Sequence, residues 1–141
     1  MILGIGVDIC KIARIQRILT KSAYSHERFL TGTFHESEVA EYRAKEAEQV
    51  KVQFLASRWA LKEAMVKASG RTDLDYTGIY LKKEKSNGAS RLSKAPVLSI
   101  SGDKNKRIFE EELKVCSMHA SLSHEEDYAV AFVTLETLVK L

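Results

Sequence analysis

One proline and two cysteines in 141 residues leave this chain without two of the usual staples of small folds. Cys10 and Cys116 form neither a C-x-x-C pair nor a disulfide framework. That usage predicts two small core thiols and a reducing, cytoplasmic location. Pro96 stands alone, and no repeat or low-complexity tract marks a linker, so a single domain over 1–141 is expected. No apolar run approaches the roughly 20 residues that a membrane-spanning helix needs. Met1 leads straight into the strand-like Ile2–Asp8, so neither a signal peptide nor a membrane partner is expected. The net charge is only +3, too small to argue for nucleic acid by itself, and no nucleic-acid partner is expected.

What is present is the material of an ordinary globular protein, 45% hydrophobic and 29% charged. Alternation and β-branching predict a strand over 2–8, and Ile12, Ile15, Ile18 and Leu19 give helical spacing over about 11–20. A short helix or loop over about 24–31 follows, then a helix from His35 or Ser37 to about 48, with Val39 and Tyr42 turned inward. A long helix over about 50–69 stops at Gly70. The second half changes character. Strands are expected at 77–81 and 97–100, a turn at Asn87-Gly88, a short helix at about 104–114, and two last strands at about 115–122 and 127–136. Helices early and strands late predict an α+β domain, an antiparallel sheet packed with the long central helix.

Three places carry polar groups where a core would not want them. On the long helix, Ala56, Trp59, Ala60, Glu63 and Lys67 fall on one stripe. Glu63 and Lys67 are therefore either an i,i+4 ion pair or chemistry. Asp8 follows Gly4 and Gly6, glycines that weaken a strand unless a ligand or another backbone comes close. It is either the N-cap of the next helix or an oxygen ligand for a hard cation such as Mg²⁺. Alternation sends His119, Ser121 and Ser123 to one strand face, to meet phosphates or only solvent. Lys11, Arg14, Arg17, Lys21 and Arg28 are opposed by only Asp8 and Glu27, enough to steer an acidic partner. A basic module that binds an acidic protein or RNA without catalysis would explain that stretch. It would leave Glu63, Lys67 and Asp8 unexplained.

Taken together, G-I-G-V-D at 4–8, S-R-W-A-L-K-E-A-M-V-K-A at 57–68 and H-A-S-L-S-H at 119–124 resemble the three signatures of the holo-acyl-carrier-protein synthases. These are small 4′-phosphopantetheinyl transferases. The resemblance extends to Arg14-Ile15, Phe34…Glu38 and Tyr128–Ala131. It implies transfer of the phosphopantetheine arm of coenzyme A to a serine of an apo acyl carrier protein, in fatty acid biosynthesis. It implies that Asp8 and Glu63 hold Mg²⁺ and, with Lys67, form the catalytic group. Arg58, Lys62, Lys67, His119 and Ser121 would bind coenzyme A, and Arg14 and Arg17 would dock the carrier. A homotrimer with sites between subunits is the implied assembly. Two places depart from the pattern: Gly32-Thr-Phe34, where an arginine is usual, and the long basic stretch between Lys82 and Pro96.

Overall fold

Residues 1–82 and 96–140 are described by the computed structural model. β1 (Ile2–Lys11) leads into α1 (Ile12–Lys21), α2 (Ala23–Thr33), α3 (Glu36–Ala44) and α4 (Glu48–Ser69). A 3₁₀ turn at Tyr76–Gly78 opens β2 (Ile79–Lys82), and β3 (Val97–Ile100) follows. The short α5 (Asp103–Lys106) runs on into a π-helical stretch at Arg107–Glu112, then β4 (Val115–His124) and β5 (Tyr128–Thr137). The strands form a three-stranded antiparallel sheet, β1-β5-β4, and an antiparallel pair, β2-β3. This is the α+β arrangement expected.

The long helix is the centre of the core. α4 lies across β1 and β5 and buries residues on most of its circumference, among them Leu55, Ala60, Leu61, Ala64 and Met65. Against it β5 turns Ala129, Ala131, Val133 and Leu135, each fully buried. Truncating one of the larger of these to alanine would cost about 2–5 kcal/mol. β1 approaches so closely that a Cβ on Gly4 would sit 1.8 Å from the Ala68 carbonyl oxygen, and one on Gly6 would sit 1.9 Å from that of Ala64. The strand glycines thus admit another backbone, and small alanines on the helix complete the fit. α4 ends at Gly70, whose φ of 67° is the left-handed stop expected of glycine.

Several boundaries moved. The helix expected to run to about 48 ends at Ala44, and a break precedes α4. α3 starts with His35 as N-cap: Ser37 N–H donates to its Nδ1, and the Glu38 carboxylate accepts from the His35 N–H at 2.9 Å. This is a capping box. Thr77 and Gly78 belong to the 3₁₀ turn, so β2 starts only at Ile79. The helix expected at 104–114 divides into a turn of α-helix and the π-helical stretch. Cys10 is buried as expected, but Cys116 is exposed. A register shift between Val115 and Ser117 on the edge strand puts it outside. The Asn87-Gly88 turn and Ser93–Ala95 lie outside the described residues. Among those described, no helix is long and apolar enough to cross a membrane.

Candidate active site

Strand alternation decides where Asp8 goes. Gly4, Gly6, Asp8 and Cys10 share one face of β1, the face pressed on α4. One step past the crowded glycines, Asp8 has room for a side chain and meets the last turns of the helix. The Lys67 ammonium donates to Asp8 Oδ1 and to the Val7 carbonyl, each at 3.0 Å. Asp8 does not cap α1: the N-cap is Lys11, and it makes no side-chain cap bond. Glu63 lies one turn before Lys67, and it takes a different partner, accepting from the Tyr76 hydroxyl at 2.9 Å. The ion pair left open by the helix pattern is thus Asp8–Lys67, which joins strand to helix.

The two carboxylates share one locality. Burial, then the hydrogen bond to Glu63 and the charges of Glu63 and Asp8, hold the Tyr76 phenol above its ordinary range. It remains a proton donor. The Cys10 thiol is pushed up by burial first, opposed by Arg14 and assisted by Asp8 and Glu63, so it stays protonated. Asp8 and Glu63 supply oxygen donors only. Among the described residues no cluster of three or more His, Cys, Asp or Glu could hold a metal. Mg²⁺ suits such a pair, because it is usually held by one or two carboxylates with waters and substrate phosphates filling the rest.

Lys62 sits elsewhere, although it adjoins Glu63 in sequence. Its side chain is fully buried and its three donors are spent: on Glu38 Oε1 at 2.7 Å, on the Tyr76 carbonyl at 2.9 Å and on the Ile79 carbonyl. Burial draws its pKa down, and Glu38 opposes that shift. The wholly buried charge on α4 is therefore Lys62, while Glu63 is half-buried and Lys67 open. Among the described residues Lys62 bonds directly to neither Asp8 nor Glu63. Arg58 is near the same buried acid, its Nε 3.9 Å from Glu38 Oε2, with its guanidinium over the Phe54 ring. Burial lowers its pKa against the pull of Glu38 and Glu41.

His119 and Ser121 are on β4, exposed on the outer face, with Met118, Ala120 and Leu122 turned to the core. His119 Nε2 is 2.9 Å from Glu136 Oε2 and 3.1 Å from the Ser117 hydroxyl. Within one chain these residues lie across the sheet from Asp8 and Glu63. On α1 Ile12, Ile15 and Leu19 are buried, and Arg14 and Arg17 are exposed. Arg14 lies over the Trp59 ring at 5.8 Å, and the same ring meets Tyr76 edge-on. Tyr76 itself was missed by sequence reasoning. It follows α4 without periodic signal, and only the turn brings it back.

The class that the fold defines is an α+β domain with carboxylates and an open ammonium along its central helix and first strand. The family model described as the 4′-phosphopantetheinyl transferase superfamily matches residues 4–133, and the chain belongs to that family. It is 34% identical over 138 residues to the holo-[acyl-carrier-protein] synthase of Geobacillus sp. (strain WCH70), covering 98% of this chain and 99% of that protein. Among solved structures, the holo-[acyl-carrier-protein] synthase of Neisseria meningitidis superposes with a TM-score of 0.75 at 30% identity, over 97% of this chain and all of that one. The Helicobacter pylori synthase in complex with coenzyme A superposes with a TM-score of 0.70 at 27% identity, over 94% and 99% of the two chains.

Proposed function

We propose that this chain, acting as one domain over 1–141, transfers the 4′-phosphopantetheine arm of coenzyme A to a serine hydroxyl of an apo acyl carrier protein. The serine oxygen bonds to the phosphorus that carries pantetheine, the bond to adenosine 3′,5′-bisphosphate breaks, and the serine proton is lost. The observation that carries this reading is the Asp8–Lys67 contact where β1 crosses α4, with Glu63 one helical turn before Lys67. Family membership supports it, as does the related synthase solved with coenzyme A.

Asp8 and Glu63 would hold Mg²⁺. When bound, the ion neutralises charge on the pyrophosphate and makes the phosphorus a better electrophile. Lys67, more than half exposed and tethered to Asp8, brings its ammonium to the same phosphates. Arg58 adds positive charge on the cofactor side, and Lys62 acts from beneath through the fold. Arg14 and Arg17, exposed on α1, dock the acidic carrier.

The assembly is a homotrimer, and two observations support that part. His119 and Ser121 lie on the sheet face opposite Asp8, which suits a substrate held between two copies. That same outer face exposes Ile5, Val7, Ile9 and Phe132, an apolar surface suited to burial against another copy. Each site then takes Asp8 and Glu63 from one protomer and His119 and Ser121 from its neighbour. The enzyme works in the cytoplasm and serves fatty acid biosynthesis.

Incubation with coenzyme A, Mg²⁺ and an apo acyl carrier protein, followed by intact mass measurement, tests the reading. Gain of one phosphopantetheine on the carrier is expected. An unchanged mass across several carriers would favour a basic binding module instead.

A further inference from the structure

Two consecutive side chains of α4 grip the same residue by different atoms. Lys62 donates to the Tyr76 carbonyl, and Glu63 accepts from the Tyr76 hydroxyl. Consecutive helical residues point about 100° apart, so one residue is rarely within reach of both. Here the 3₁₀ turn at Tyr76–Gly78 folds back over the helix and makes the double contact possible. Lys62 also holds the Ile79 carbonyl on the far side of that turn, and Asn105 holds the near side through the Asp75 N–H and carbonyl at 2.9 and 2.8 Å. Glu38 fixes Lys62 in turn, and its carboxylate is anchored by the His35 N–H. The Tyr76 ring is set edge-on against Trp59, with centroids 5.7 Å apart.

A turn needs no such apparatus merely to close. The expenditure is large: a buried ammonium is kept only where its donors are matched by acceptors. What the apparatus fixes is the direction of one phenolic O–H, and that direction is toward Glu63 Oε1. A carboxylate that must present one oxygen to a cation gains from having its other oxygen held by a donor, because the hydrogen bond selects a rotamer in advance.

We propose that Tyr76 is a positioning residue for Glu63, its hydroxyl holding one carboxylate oxygen so that the other is presented to the cation, with Lys62 and Glu38 as the buried clamp that holds Tyr76 in place. This rests on the reading of Asp8 and Glu63 as Mg²⁺ ligands, and it gives Lys62 a part other than contact with coenzyme A. Tyr76 touches neither substrate nor reacting atoms in this role.

The test is Tyr76→Phe in the full chain, which keeps the ring against Trp59 and the carbonyl on Lys62 while removing only the hydroxyl. Mn²⁺ is titrated into parent and variant at a fixed coenzyme A concentration, and free Mn²⁺ is read by electron paramagnetic resonance. Outer-shell partners typically contribute about 10–100-fold to metal affinity, so binding at least about tenfold weaker is expected. The turnover lost at low Mg²⁺ should return as Mg²⁺ is raised, with KM for coenzyme A little changed at saturating metal. A purely structural hydroxyl would shift the melting temperature and leave Mn²⁺ affinity alone. Equal Mn²⁺ affinity in parent and variant overturns the positioning role and leaves the transferase reading standing. Absence of saturable Mn²⁺ binding in the parent overturns the metal assignment, and the positioning role with it.

Discussion

The two faces of the β1-β5-β4 sheet are made by the same strands and behave as opposites. On the inner face, glycines and alanines let β1 and α4 touch backbone to backbone, and the first larger polar residue beyond them, Asp8, meets Lys67. On the outer face Ile5, Val7 and Ile9 remain more than half exposed, and Phe132 stands exposed beside Ser121 in the register. One face is closed by the chain itself, while the other offers apolar surface that none of the described residues covers. The difference comes from a period of two residues, which separates Asp8 from Val7 and Ile9 as surely as it separates His119 from Ala120. A second copy packed on the outer face would bring residues of opposite faces to one substrate, as the proposed assembly requires.

The largest effect is expected on the inner face. Asp8→Asn or Glu63→Gln should lower transfer by about 10²-fold or more, in line with losing one preorganised electrostatic group. Circular dichroism should show the fold intact, and near-normal turnover at limiting Mg²⁺ would remove both from the metal site. Next comes the outer face. Burial of one phenylalanine is worth about 1.5–3 kcal/mol, so Phe132→Asp should dissociate the assembly and reduce activity with it. Sedimentation should then show a smaller, folded species; an unchanged mass would mean that this face is not the interface.

Lys67→Ala should cost about tenfold in rate, with only a small thermal shift. An exposed ion pair contributes about 0–1 kcal/mol to stability, and Lys67 is 54% exposed. A normal rate with a clearly lowered melting point would make the Asp8–Lys67 contact structural. The smallest effect is expected on α1, which belongs to neither face. Reversing charge at Arg14 and Arg17 should raise KM for the carrier a few-fold and flatten its salt dependence, because such steering is screened over about 8–10 Å. Equal salt slopes in parent and double variant would move the docking surface elsewhere.

Much of this was legible in the chain. The 3.6-residue period of α4 and the alternation of β1 and β4 are local, and they put Asp8, Glu63 and Lys67 among the candidates before any fold was known. What stayed hidden depends on contacts distant in sequence. Glu63 and Lys67 stand four apart and read as partners, yet each bonds to a residue more than ten positions away. Lys62 read as one more basic residue of a motif, since nothing local says that Glu38, 24 residues earlier, would bury with it. The glycines of β1 signalled close approach but not of what. Tyr76 gave no signal, because its hydroxyl matters only once the turn after α4 is closed. Cys116 was misread because one bulge on an edge strand reverses the alternation that would have buried it.

The sharing of each site between two faces of neighbouring copies is tested most directly by mixing two inactive variants. Glu63→Gln damages the inner face and His119→Ala the outer, and each alone should be nearly inactive in the intact-mass assay. Unfolded together in denaturant and refolded as an equal mixture, they form assemblies in which some sites draw Glu63 from one chain and His119 from the other. If chains mix at random, about one half times one half, or a quarter, of the sites are whole, and activity should recover to about a quarter of the parent's. Recovery no greater than the sum of the two variants refolded separately would contradict the shared site.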